Sequence, residues 1–314
     1  MRNCSIILFL AMVLVAGCQK EISVEKSLLK VQSPGSPERR LLSVVDQTSG
    51  GAAFTDSFSY DAEGRVISFL EKFDNSPVLK IADVTYEGNR MIIQYTSNNF
   101  LPGRIEFVLN AADQPVLRYL LFYIDTSSQN FNLSDYYRDT IEYSYENGYL
   151  KKTTLRGLDS KLSSANGVQQ NTFIKSESTT NFDVENGVLL ASHEDYHQTL
   201  IDEKGSAVTT TASGYKGEMR FNYSRRYPNN LIKNNQLALR TFYAYSFLPL
   251  IPFSEYQMIP DQTDISWNDF DSTGNSIGNK QFNNAVRLEY NEKGLFRCYM
   301  NDGPVDHAIE YHFE

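Results

Sequence analysis

Four times along this chain an aspartate or asparagine stands three residues ahead of a glycine, between two stretches of alternating hydrophobicity. The pairs are Asp61 and Gly64, Asp202 and Gly205, Asp271 and Gly274, and Asn291 and Gly294. A type I turn favours this pairing, because the Asp or Asn side chain accepts a hydrogen bond from the turn backbone while glycine takes the left-handed conformation that rejoins the next strand. Glu87-Gly88-Asn89, Glu146-Asn147-Gly148 and Glu185-Asn186-Gly187 are tighter forms of the same punctuation. Each ends one strand and begins its neighbour, so the chain reads as a series of β-hairpins.

Between the turns the apolar period is two. Ile105, Phe107 and Leu109 alternate with Glu106, Val108 and Asn110, and Ile141, Tyr143 and Tyr145 with Glu142, Ser144 and Glu146. Leu288 and Tyr290 alternate with Glu289 and Asn291, and Ile309, Tyr311 and Phe313 with Glu310, His312 and Glu314. One face of each strand is therefore buried and the other wet. Strands joined by short turns pair in order, which predicts an all-β fold, an antiparallel up-and-down meander of roughly a dozen strands. To hide its edges the meander curls into a soluble barrel-like or strongly curved sheet.

One segment breaks the pattern. From Leu231 to Ile259 the formal charges are Lys233, Arg240 and Glu255, and Pro249, Pro252 and Pro260 rule out a long central strand. Leu237, Arg240, Thr241, Ala244 and Leu248 share a helical spacing, which predicts a short helix over about 234–247 and then an extended loop. This insertion near 231–260 either plugs the sheet and completes its core or offers Phe242, Tyr243, Tyr245, Phe247, Phe253 and Tyr256 as a ligand lid or partner patch.

The N-terminus carries an address. Arg2 gives a positive start, Ile6 to Val15 an apolar run, and Val15-Ala16-Gly17-Cys18 the small-residue flank and cysteine that bacterial lipoprotein processing recognises. The run is too short for a bilayer, which needs roughly twenty residues. On this reading residues 1–17 are a signal peptide and Cys18 becomes the acylated mature terminus, held by two or three acyl chains such as palmitate. Residues 18–40, with Ser33-Pro34-Gly35-Ser36-Pro37, form a flexible tether, and 41–314 form the β domain. Gln19 after the cysteine matches outer-membrane sorting, at either the cell surface or the periplasmic face. Gln19-Lys20-Glu21 resembles the short charged export signal of Bacteroides-type surface lipoproteins.

Composition closes off several classes of function. With 41% apolar and 13% aromatic residues, the chain of 314 residues has the material for a sizeable core. Its formal charge is −9 and no basic run interrupts the acidic balance, which excludes nucleic acid as a natural partner. Of three cysteines, Cys4 leaves with the signal and Cys18 is acylated, so Cys298 has no disulfide partner and reads as a small buried hydrophobe.

The turns also resemble known families. Tyr60-Asp61-Ala62-Glu63-Gly64-Arg65 is similar to the YD-repeat hairpins of Rhs-type proteins. Lipobox, short tether, repeated hairpins and a late apolar interruption before a final strand pair together resemble the Bacteroides-type lipoprotein domains of unknown function with a porin-like fold. That resemblance covers about 41–314. It implies a soluble barrel-like antiparallel sheet, and it implies no known activity and no site residues. A transmembrane barrel is the competing architecture, but its strands would show a nearly charge-free apolar band about 25 Å tall. Here Glu71 and Lys72 fall within one strand, and Lys151 and Lys152 directly follow a turn.

One catalytic pattern is present, His193-Glu194-Asp195-Tyr196-His197, which satisfies H-E-x-x-H. Zinc peptidases need it on a helix, where both histidines share a face to hold the metal and the glutamate serves as base. Its neighbours Thr179, Thr180, Phe182 and Val184 before, and Val208 to Thr211 after, are β-type, and a strand would put Glu194 on the face opposite His193 and His197. Nothing else in the sequence signals a cofactor or a catalytic group. The favoured function is thus a non-enzymatic, envelope-anchored binding or structural module for a glycan, a peptide or an envelope protein. The alternative is a metal-dependent hydrolase using His193 and His197. Twenty tyrosines could furnish a binding surface, but the single tryptophan, Trp267, is sparse for a sugar-stacking platform.

Overall fold

The computed structural model describes residues 40–47, 53–95, 103–124, 135–165, 168–202, 204–208, 213–225, 227–228, 256–271, 273–291, 294–302 and 305–313. They form strands β1 (Leu41–Gln47), β2 (Ala53–Tyr60), β3 (Val66–Phe73), β4 (Leu79–Glu87), β5 (Arg90–Tyr95), β6 (Gly103–Leu109), β7 (Pro115–Ile124), β8 (Asp135–Glu146) and β9 (Tyr149–Ala165). The series continues with β10 (Val168–Glu185), β11 (Val188–Ile201), β12 (Ser213–Asn222), β13 (Tyr227–Pro228), β14 (Met258–Ile259), β15 (Gln262–Phe270), β16 (Ser276–Asn291), β17 (Gly294–Asp302) and β18 (Val305–Phe313). Every strand except β13 and β14 pairs antiparallel with its neighbours in sequence order, and β1 pairs with β18 to close a barrel. The small β13–β14 ribbon stands at the root of the insertion between β12 and β15. The predicted helix over 234–247 lies outside the described residues.

The turns form as their residues require. In the Asp61, Asp202 and Asp271 turns the glycine amide donates to the aspartate carbonyl at 3.0–3.1 Å. The aspartate carboxylate also accepts backbone N–H bonds, from Lys204 and Ser206 onto Asp202 and from Thr273 and Asn275 onto Asp271, at 2.8–2.9 Å. Gly64, Gly205 and Gly274 sit at φ of +82°, +79° and +82°, where a side chain would be strained. Asn291 pairs directly with Gly294, across a turn whose central residues lie outside the described ones.

The barrel holds sixteen strands where the length of the chain suggested about a dozen. Two features hid the difference. β9 and β10 are 17 and 18 residues long and rich in Ser, Thr and Lys, so their pairing carries little apolar alternation. The β6–β7 turn, Asn110-Ala111-Ala112-Asp113, builds the same hydrogen-bonded loop with Asp113 in glycine's place at φ 56°.

Buried side chains from thirteen of the barrel strands, Val44, Phe58, Phe69, Ile93, Phe107, Leu150, Leu189, Leu288, Cys298 and Ile309 among them, belong to one cluster. Only the inside of a closed barrel brings strands from all round the ring together, so the alternating apolar face is the lumenal one. The cluster lies at one end, here called the base, with the tight turns and with Leu41 paired to Phe313. Ladder irregularities beside the base turns, at Ser59/Tyr60, Val108/Leu109, Ser144/Tyr145, Asp183/Val184 and Glu289/Tyr290, add local twist that helps the sheet curve. Sixteen strands enclose more space than their own side chains fill. The insertion contributes Tyr256 and Ile259, both fully buried, to that filling.

The outer face is charged along its length. Arg104 and Arg90 pair with Glu106, Arg156 with Glu142, Lys216 with Asp195 and Arg220 with Glu218. A lipid-facing Arg or Lys costs about 2–4 kcal/mol at a bilayer midplane. The outer wall is therefore built for water, against the transmembrane alternative.

Candidate functional site

The H-E-x-x-H residues lie in β11, a strand. Four residues along a strand separate His193 from His197 by roughly 13 Å, whereas one zinc holds its histidine nitrogens at about 2.0–2.1 Å. His193 instead meets Asp183 at 3.1 Å and His197 meets Asp195 at 2.8 Å, all on the outer face. Glu194 points the other way, into the lumen, where Ser178 Oγ donates to its Oε1 at 2.8 Å. The motif divides its parts between the two faces of a sheet and does not build a zinc peptidase site.

What the structure does gather is a row of lumenal aromatic side chains on β11, β12, β15 and β16. Tyr196 stands opposite Tyr215 with ring centroids 4.9 Å apart, Tyr215 lies 6.4 Å from Trp267, and Trp267 meets Phe282 edge to face at 4.7 Å. Period two places each of them on the lumenal face, and register sets them beside one another. Gly217 pairs with Trp267, and the Tyr215 ring lies over it, 3.8 Å from where a Cβ would stand. Unlike the core residues below them, these rings stay in reach of solvent, and Phe282 is 40% exposed.

Polar groups are fixed among the rings. Tyr196 Oη donates to Ser176 Oγ at 3.2 Å and receives Gln198 Nε2. Burial, and then the neighbouring Glu194 carboxylate, push the Tyr215 phenol above its ordinary range, so it stays a neutral donor. Lys280 Nζ pairs with Asp269 at 3.3 Å and lies 5.6 Å over the Trp267 ring. Sequence reasoning missed this row because β12 and β15 become neighbours only across the 223–261 insertion, and that register has no signature in the chain.

Behind the same wall, the outer face carries a shallow groove of about 430 Å³ lined by polar side chains including His193, Lys216, Glu218, Asn279 and Gln281. A second lumenal feature lies on β2 and β3. Asp56 is 4% exposed and opposite Glu71, and its Oδ1 accepts no hydrogen bond among the described residues. Burial, then Glu71 and Asp46, push its carboxyl up to about 8.

Cys298 is fully buried between Leu288 and Ile309, and burial pushes its thiol up to about 12, the behaviour of a core residue. Of the candidate patch, Tyr256 is buried, donates to the Leu150 carbonyl at 3.0 Å and packs against Phe182. Phe242, Tyr243, Tyr245, Phe247 and Phe253, like Cys18, lie outside the described residues. No known protein-family model matches the chain, and no curated protein matches it. Among solved structures it is similar to a porin-like protein from Bacteroides uniformis, with 12% sequence identity and a TM-score of 0.46, over 90% of this chain and 99% of that one.

Proposed function

We propose that this protein is a non-enzymatic module, tethered to the bacterial outer membrane through an acylated Cys18, that binds a ligand in the mouth of its barrel. The observation that carries the binding reading is the row Tyr196, Tyr215, Trp267 and Phe282. The base of the lumen is packed, yet this row above it keeps large rings half-exposed beside fixed hydrogen-bonding groups, the composition of a ligand-binding wall. The aromatic-plus-polar make-up of this lumenal wall suits holding a ligand.

Trp267 is the single tryptophan, so its emission reports this wall alone. Titrating the mature chain with separate panels of envelope-derived oligosaccharides, peptides and lipids should give a saturable emission change with one class. Phe282→Ala should abolish it. No response from any panel overturns the reading.

A further inference from the structure

We infer that the ligand of this lumenal wall is a neutral saccharide chain lying across β11, β12, β15 and β16, an inference that rests on the barrel mouth being the binding site. Sugar rings present a flat C–H face and an edge of hydroxyls, so a protein surface that complements them alternates aromatic rings with paired donors and acceptors. This wall does so. The perpendicular Trp267–Phe282 pair, with an interplanar angle of 88°, leaves the faces of the ring that contributes its edge uncovered by its partner. Stacked Tyr196 and Tyr215 continue the apolar strip at an interplanar angle of 24°. Four strands at the usual spacing carry the strip over about 14 Å, the reach of a short oligosaccharide rather than of one small molecule.

The polar groups suit vicinal hydroxyls. Glu194 is held by Ser178, and Gln198, Tyr196 and Ser176 form a chain along the neighbouring strands, so their remaining hydrogen-bonding capacity is oriented before a ligand arrives. Charge argues against an acidic ligand, since Lys280 is already paired with Asp269 and Glu194 adds a further carboxylate.

The test is calorimetry of the mature chain against neutral gluco-, xylo-, manno- and galacto-oligosaccharides, with sulfated oligosaccharides and a mixed peptide digest in parallel. A neutral oligosaccharide should bind, and Phe282→Ala and Glu194→Gln should each weaken it by about tenfold or more. Gln281→Ala, on the outer groove of the same strand, should leave affinity unchanged, and melting curves of the variants report whether they fold. Binding of the peptides or sulfated chains alone, lost in Phe282→Ala, would overturn the saccharide assignment and leave the barrel mouth as the site. Saccharide binding lost in Gln281→Ala and kept in Phe282→Ala would move the site outside and overturn both readings. No binding by any probe, with wild type folded, would also overturn both.

Discussion

At the scale of single residues, the most consequential side chain outside the aromatic wall is Asp56. Its carboxyl, pushed up to about 8 by burial and by Glu71 and Asp46, keeps its proton in the folded barrel at pH values where the unfolded chain has released it. Stability therefore falls as pH rises from about 4, the ordinary aspartate value, to about 8, and is flat beyond. Asp56→Asn, which keeps the shape and removes the titration, should melt higher than wild type at pH 8.5, by on the order of a few kcal/mol. The two should converge near pH 4. Thermal melts across that range check it, and a difference independent of pH would show that Asp56 does not titrate in this way. None of this could be read from the chain, because Asp56 occupies a lumenal position that alternation reserves for apolar residues. The turn aspartates were legible for the opposite reason. Their partners lie within four residues, as for Asp271, where Thr273 and then Asn275 hold the carboxyl below its ordinary range.

At the scale of elements, legibility followed the range of the interactions. Hairpins with Asp-x-x-Gly or Asn-Gly turns and clear alternation were readable, and so was β11 as a strand that separates Glu194 from its two histidines. The polar pair β9 and β10 and the glycine-free β6–β7 turn were not, since Thr, Ser and Lys serve either face and Asp113 carries no turn signature of its own. The insertion was readable as a plug only in outline. Its described end docks through Tyr256 and through Gln257, whose backbone N–H donates to the Gly187 carbonyl at 2.9 Å. Replacing Tyr256 by Ala should cost about 3–5 kcal/mol, the range for emptying a large aromatic from a core. Tyr256→Phe, which removes only the bond to Leu150, should cost about 0.5–1.5 kcal/mol. Urea melts of the two variants separate packing from hydrogen bonding, and equal costs would mean that the ring itself contributes little.

At the scale of the whole molecule, a barrel with a charged outer wall needs something else to hold it at a membrane. The N-terminal segment supplies it if Cys18 is acylated. Cys18→Ser should move the protein from the detergent phase to the aqueous phase or leave an unprocessed precursor, whereas partitioning unaffected by the change would separate this chain from lipoproteins. Closure of the ring carries a further consequence, for the order in which the chain can fold. The strand that seals β1 is β18, with Val44 paired to Tyr311 across almost all of the described residues. Contacts at so large a sequence separation make folding slow. A chain in which β1 has paired with β2 alone keeps the other edge of β1 bare until β18 is in place. Until then one copy can pair with another copy in place of itself, so dilution during refolding should favour the closed monomer over joined copies.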